Sequence, residues 1–483
     1  MHPENSMSTR IKRGLVVVAA VAVLGGCAVG PNYKRPSVGA PGAYRFATGE
    51  GTNSLADLPW WQVFQDPLLQ GLIGTALTNN YDLKQAVARV EQARQQAVVA
   101  RSPFMPQVGY GGDIGRGRNA LFNSPASVNG GTASSAQVNL NLAWEIDFWG
   151  RIRRLSEAAR AQYLATEEAR RGVTITLVSD VATAYFQLLE LDRELEIQRA
   201  ATNAYTATYR IFNDRLTNGV ASKLETDRAA AALANAAAII PNLEMQVATT
   251  ENQLNLLLGR NPGPITRNTL TNQPQVVPEV PAGLPSELLK RRPDVLAAEQ
   301  SLIAANANIG ANLANFFPQI GLTTFLGQVS PELSAFTSGT GNAWNVGGKL
   351  AGPIFQGGQL RAQYRSAKAK FDETSAAYQQ SVLTAFQEVS NALISRQKLA
   401  ETLVYDGQAV VALTSSVDIS TQRYLNGKSS YYEVLQALQD LYPSQRAQVQ
   451  AQVGELIAVV QLYKALGGGW QPRVSAKEPS HAP

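Results

Sequence analysis

Four short segments of this chain alternate apolar and polar side chains almost without a break, and long helix-forming tracts surround them. In the clearest, Val138, Leu140, Leu142, Trp144, Ile146 and Phe148 share one face, while Gln137, Asn139, Asn141, Ala143, Glu145 and Asp147 share the other. A period of two marks a strand with one oily and one wet face. The four segments are 107–115, 136–148, 319–327 and 344–354. Each has roughly 9–13 residues, the length at which a tilted strand crosses an outer-membrane bilayer. A soluble sandwich with one solvated face shows the same alternation, so periodicity alone leaves both open.

Composition narrows the chemistry. Only 16% of residues are charged and the formal net charge is +5, with Lys and Arg interleaved among acids, which argues against nucleic acid as a partner. The two histidines, His2 and His481, lie near the ends, and the one cysteine is Cys27. The body of the chain therefore has no Ser-His-Asp, Cys-His or His-zinc chemistry, and no intrachain disulfide. We expect neither an enzyme nor a cofactor beyond a covalent lipid.

That lipid follows from the leader. Arg10, Lys12 and Arg13 precede the apolar run Leu15–Leu24, then Gly25, Gly26 and Cys27. A basic start, a short apolar run and a small-residue cleavage site form an export signal, spanning 1–26, whether the chain starts at Met1 or Met7. Leu24-Gly25-Gly26-Cys27 resembles a bacterial lipobox, which implies cleavage before Cys27 and its acylation. Ala28, where Asp is absent, resembles the outer-membrane sorting pattern.

The body is written twice. Phe104-Met105-Pro106-Gln107 recurs as Phe316-Phe317-Pro318-Gln319, Asp147–Gly150 is echoed by Ile354–Gly357, Asn218-Gly219 by Asn426-Gly427, and Leu257-Leu258-Gly259 by Ala465-Leu466-Gly467. Each repeat reads as helix, strand, loop, strand, long helix, turn, helix. The first has a helix from Asn80 to Arg101, a loop from Arg116 to Ser135, and a helix from Arg151 to about Thr217. Asn218-Gly219 ends that helix and Ser222 caps the next. The second has helices over Glu287–Asn315, Gln359–Leu425 and Ser429–Leu466. The two long helices, roughly 65 residues each, would extend about 100 Å. Leu177, Val181, Ala184, Leu188, Leu191 and Leu195 form a heptad seam, and Val382, Phe386, Val389 and Leu393 another. Pro241 and Pro443 should kink the shorter return helices. The segment after Cys27, the Pro-rich stretch 261–286 and the tail 468–483 are expected to pack together around the middle of the bundle.

Four strands cannot close a membrane barrel, since the smallest bacterial barrels use about eight. An open edge in lipid leaves backbone groups unpaired at a cost of several kcal/mol each. Three chains sharing one barrel would supply twelve strands, with Gln137, Asn139, Asn141, Glu145 and Lys349 lining an aqueous lumen.

At this point the chain resembles the TolC-type outer-membrane factors, and within them the OprM-like lipoproteins of the NodT group. The likeness rests on Gly30-Pro31-Asn32-Tyr33 with Pro36, on Trp60-Trp61 with Phe64 and Asp66-Pro67, and on Asn79–Leu83. It continues through Trp144–Gly150, Arg291–Val295, Pro353–Gly358 and Tyr463–Trp470. It implies a mainly α chain with a membrane β part. It further implies a homotrimer with a twelve-stranded outer-membrane β-barrel continued by a periplasmic α-helical barrel, and an equatorial collar. On that scheme 27–70 is an N-terminal equatorial segment, 71–260 the first repeat, 261–286 an equatorial linker and 287–467 the second repeat. The resemblance also implies a periplasmic gate at the Asn-Gly turns, matching Arg423, Tyr424, Tyr432 and Gln436. Relatives carry an Asp where this chain has Gln436, and Asp227 is the expected substitute from the first repeat.

The implied function is a passive exit duct for drugs or other small molecules in a tripartite efflux system. It would work with a periplasmic adaptor and an inner-membrane RND-type pump, anchored in outer-membrane lipid. Other readings are a duct for type I protein secretion, a structural or adhesive envelope lipoprotein with no pore, and a cell-wall hydrolase. Glu145 and Asp147 on one strand face could serve a hydrolase as acid and base, but line a lumen more simply. Gly115-Arg116-Gly117-Arg118 could bind phosphate, but more simply begins an outer loop. Arg423 with Tyr424 could merely satisfy carbonyls at a helix end.

Overall fold

The computed structural model describes residues 28–46, 54–118, 132–220, 222–270, 285–330 and 341–468. Cys27, most of the Pro-rich stretch and the tail from 469 lie outside the described residues. Helices α1 (Trp60–Val63), α2 (Pro67–Asn79) and α3 (Tyr81–Arg101) lead to strands β1 (Gln107–Arg118) and β2 (Thr132–Ile146). Then come α4 (Arg151–Thr217) and α5 (Lys223–Leu257). The second half has α6 (Pro285–Arg291), α7 (Pro293–Ala314), β3 (Gln319–Ser330), β4 (Asn342–Ala351), α8 (Gln359–Leu425) and α9 (Tyr431–Ala465).

The duplication is exact in the four long helices: α4 and α8 are both 67 residues long, and α5 and α9 both 35. Each of these four helices ends in a Schellman cap on a left-handed glycine, at Gly219, Gly259, Gly427 and Gly467. At the first, Val220 N–H donates to the Arg215 carbonyl (2.8 Å) and Gly219 N–H to the Leu216 carbonyl (2.9 Å). Lys428 and Gly427 do the same at Arg423 and Tyr424, 208 positions on.

Several expectations need correction. Both strands of the first hairpin extend into the expected loop 116–135, because β1 runs to Arg118 and β2 starts at Thr132. Asp147 and Phe148 lie beyond β2. The Asp147 carboxylate instead caps α4, accepting from Ile152 N–H (2.9 Å) and Arg153 N–H (2.8 Å). β4 stops at Ala351 and β3 runs on to Ser330. The helix expected over 287–315 is two, parted at Arg292 because Pro293 starts α7. Gly150 matches Gly358, the residue before α8, and Gly357 is one position early. Pro241 and Pro443 sit inside α5 and α9 without interrupting either.

By compactness the chain forms two units, each containing parts of both repeats. One holds 1–37, 89–167 and 297–379. Its sheet is an antiparallel meander in the order β1-β2-β3-β4. Close packing beside it comes from alanines: Ala158 and Ala161 of α4 meet Ala304 and Ala307 of α7. Residues 28–35 run along these helices as a strap. Val29 N–H donates to the Trp149 carbonyl (3.0 Å) and Arg154 reaches Asn32 Oδ1 (2.8 Å). Asn306 donates to the Pro31 carbonyl (3.0 Å), and Arg35 Nε to Glu299 Oε1 (2.6 Å). Gly30 (φ +98°) crosses Gly310 so closely that a Cβ would sit 2.5 Å from the Gly310 Cα.

The second unit holds 38–88, 168–296 and 380–483. The segment after Cys27 is thus divided, with only its part beyond Ser37 in this unit. The α4 seam is buried at Leu177, Val181, Ala184 and Leu188, then passes to Ile197, Ala201 and Tyr205, leaving Leu191 and Leu195 half-buried. One 18-residue window of α4 is apolar enough to cross a membrane, but 61% of it is buried in the chain's own packing. Buried Asp66 caps α2 through Leu68 N–H (2.9 Å), accepts from the Tyr185 hydroxyl, and takes the Asn268 amide (2.9 Å). Beside it Arg267 pairs with Asp192 (2.6 Å) and Glu251 (2.5 Å). Described residues of the Pro-rich stretch are therefore held by ionic and polar bonds as well as by the buried side chains of Ile265 and Leu270.

Candidate functional site

Two regions carry the residues singled out above, one in each unit. The first is the sheet. Strand pairing puts Asn141 opposite Gly109 and Phe325, and Phe325 opposite Asn345. The next row on the same face is Gly111, Asn139, Gly327 and Ala343, and Gln137 follows between Asp113 and Val329. Gln137, Asn139, Asn141, Glu145 and Lys349 therefore share one face. A Cβ at Gly109 would meet Asn141 Oδ1 at 2.9 Å, and one at Gly111 would meet Asn139 Oδ1 at 3.0 Å. The amides lean across these glycines and lie along the wall. Glu145 is engaged at the helix end of the face, where Arg151 grips both its carboxylate oxygens (3.0 and 2.6 Å). With Asp147 serving as a helix cap, the two carboxylates are not a free acid–base pair.

The opposite face is apolar. One row is Tyr110, Leu140, Leu326 and Trp344, and the next is Val108, Leu142, Thr324 and Val346. Among the described residues nothing covers it: Tyr110 is 89% exposed and Trp344 77%. Such a face is costly in water and comfortable in hydrocarbon. Among the described residues β1 and β4 each have one neighbour, so both sheet edges are unpaired. At the helix end of the sheet, Trp149 stacks on Phe317 (centroids 4.6 Å apart, 21°) and donates to the Pro318 carbonyl (2.8 Å). Ala28, the first described residue, abuts Gly150 here.

The second region is the pair of helix turns. Arg423, Tyr432 and Gln436 line one groove between α8 and α9, together with Glu433, Asp440 and a floor of small residues such as Ser416. Tyr424 points elsewhere. It accepts a hydrogen bond from Arg215 of α4 (2.6 Å) and packs edge-on against Tyr431 (4.9 Å), which meets Phe212 in the same way (4.8 Å). The Tyr431 hydroxyl is bonded to Thr208, and burial raises its phenol above the ordinary range.

The two turns use matching residues differently. Arg215 and Arg423 occupy equivalent positions, as do Glu225 and Glu433, each pair 208 apart. Glu225 completes a capping box with Ser222 at the start of α5. Glu433 is drawn away from the equivalent Ser430, whose side chain caps nothing, to pair with Arg423 (3.5 Å). Asp227 is not the counterpart of Gln436: that is Arg228, and Asp227 matches buried Leu435. Asp227 instead pairs on the surface with Lys223 (3.7 Å). The acid beside Gln436 is Asp440, which accepts from its amide (3.1 and 3.3 Å) one turn along α9. The sequence reading missed Arg215, Tyr431, Glu433 and Asp440. Spacing four apart on a helix signalled Asp440, and strict alignment of the repeats signalled Arg215 and Glu433.

Among the described residues no group of three or more His, Cys, Asp or Glu is placed to hold a metal. The family model for outer membrane efflux proteins matches residues 72–260 and 284–468. The solvent efflux pump outer membrane protein SrpC of Pseudomonas putida is 36% identical, over 93% of this chain and 97% of its own. The probable outer membrane lipoprotein SilC of Salmonella typhimurium is 33% identical, over 95% and 99%. Among solved structures, the outer-membrane channel OprN superposes with a TM-score of 0.84 at 31% identity, over 92% of this chain and all of that one. With its doubled TolC-like architecture and its sheet of one oily and one wet face, the chain belongs to the outer membrane efflux protein family and is the outer-membrane exit duct of an efflux system.

Proposed function

We propose that three copies close one twelve-stranded barrel and conduct small molecules passively, without chemistry of their own or a cofactor. The observation that carries this is the four-stranded sheet with two unpaired edges, a polar face and a bare apolar face. In lipid that sheet is tolerable only in a closed ring. The duct would receive its cargo from a periplasmic adaptor and an inner-membrane RND-type pump. The groove holding Arg423, Tyr432 and Gln436, with the Arg215–Tyr424 bond beside it, is the periplasmic gate, tied shut by bonds between helix turns. Acylation of Cys27 anchors the chain. In support, the strap that follows it is clamped to the helices and abuts Gly150 at the helix end of the sheet.

The experiment is reconstitution in planar bilayers. The wild-type protein should conduct rarely, and the Arg423→Ala/Tyr424→Ala variant should open about tenfold more often or better. That is the shift expected from losing one ionic contact and one charge-assisted hydrogen bond. No conductance from either protein rules out the duct. Equal conductance from both rules out this gate alone.

A further inference from the structure

The two repeats are fused so that one strand junction lies within the chain while an equivalent one is left open. β2 closes the first repeat and β3 opens the second, and they pair with each other. β4 closes the second repeat and β1 opens the first, and these are the two free edges. The β2–β3 ladder is therefore a template for a β4–β1 ladder between copies.

Transferring it requires the spacing of the repeats. Gln107 corresponds to Gln319, 212 positions on, and Gly150 to Gly358, 208 positions on. The two hairpins check these spacings independently: Gln107 pairs with Ala143, and their counterparts Gln319 and Ala351 pair with each other. Applied to the internal ladder, Asn141 opposite Phe325 becomes Lys349 opposite Asp113 of the next copy. Leu142 opposite Thr324 becomes Leu350 opposite Gly112, and Ile146 opposite Ile320 becomes Ile354 opposite Val108. Pro353 ends the ladder before Ile354, which continues the register past the end of β4 at Ala351.

The side chains on the two edges agree with this register. Lys349 is the one charged residue of β4 and Asp113 the one acid of β1. Both lie on the polar face, and among the described residues neither has an ion-pair partner. On the other face, Ile354 is 103% exposed and meets another exposed aliphatic residue, Val108. A slip of two residues keeps the faces but puts Lys349 against Gly111 or Gly115, with no charge to meet.

We infer that each seam between copies is set in register by Lys349 of one copy and Asp113 of the next. This ion pair makes a second copy of the chain the specific partner of each open edge, and places three lysine–aspartate bridges around the lumen. The inference rests on closure of one barrel by three copies. It is tested in outer membranes by oxidising Lys349→Cys/Asp113→Cys, with Lys349→Cys/Gly111→Cys and Lys349→Cys/Gly115→Cys as shifted pairs. The wild-type chain, whose only cysteine is Cys27, is the control. Directly opposed residues have Cβ atoms about 4.5–5.5 Å apart, against roughly 7–8 Å for diagonal ones. The first pair should give covalent dimers and trimers on non-reducing gels, and the shifted pairs should lose them. As a second readout, Lys349→Asp and Asp113→Lys should each lower the temperature at which detergent-resistant trimers dissociate, and the double exchange should restore it. Cross-linking at 111 or 115 in preference to 113, or at none of them in a protein that is still trimeric, overturns the register. A wild-type protein that is monomeric by light scattering overturns closure itself.

Discussion

At the scale of single residues, the second unit buries charge as well as hydrocarbon. Glu194 of α4 is almost fully buried, and accepts from Gln450 (2.7 Å) while facing Arg446 (3.5 Å), both of α9. One turn earlier, Glu190 has no such help. Burial, reinforced by the Glu194 carboxylate, pushes its pKa from 4.5 up to about 7. Folding thus favours the protonated form of Glu190, and its contribution is lost as pH rises from about 4.5 through 7. Glu190→Gln should raise thermal stability at pH 8 by about 1 kcal/mol, a figure discounted for partial solvent contact, and change little at pH 4.5. Melting the helical signal in detergent at both values checks this, and an equal effect at both would refute it. The Glu190–Glu194 spacing of one turn is visible in the sequence, but the larger cause, burial, comes only with the packing of the folded chain. The same limit explains Asp227: an acid near the right position looked like a gate residue until helix ends fixed its true counterpart as Leu435.

At the scale of elements, the long helices were legible because their interiors lack proline and their ends carry Asn-Gly, the pair that favours a left-handed cap. The strands were legible in type but not in extent. Their outer ends, Arg116–Arg118 and Thr132–Ser135, carry no apolar alternation, yet pair in the ladder because neighbouring backbones are already aligned. The carboxylates after β2 were misplaced for a related reason. Asp147 continues the alternating pattern, but the free N–H groups of α4 claim it. Caps also separate the two repeats. Ser222→Ala should destabilise the first turn of α5 by about 1 kcal/mol, whereas Ser430→Ala should leave α9 nearly unchanged. Hydrogen exchange of the two opening turns measures the difference, and equal responses would show that the capping box is idle.

At the scale of the whole molecule, duplication and export were both written plainly. What one chain could not display is the barrel, because half of every outer seam belongs to another copy. The leader carries its own prediction. Cys27→Ser should abolish the acyl mass on intact mass spectrometry and change processing of residues 1–26, while the strap from Val29 to Arg35 keeps its bonds to the helices. Retention of the full acyl mass would place the lipid elsewhere.

The unequal spacing of the repeats has a further consequence. Matching residues stand 212 apart before the hairpin turn and 208 after it, so the first repeat carries four more residues in its hairpin. The four long helices have gained or lost none. A single residue added to a helix rotates everything beyond it by about 100°, and would turn buried alanines outward and exposed side chains inward. Between paired strands, extra residues simply lengthen the connection. The connection between the strands of a hairpin is thus the place where this architecture accepts insertions, and where lineages, or an engineer adding a tag, are free to change it without rebuilding the helices.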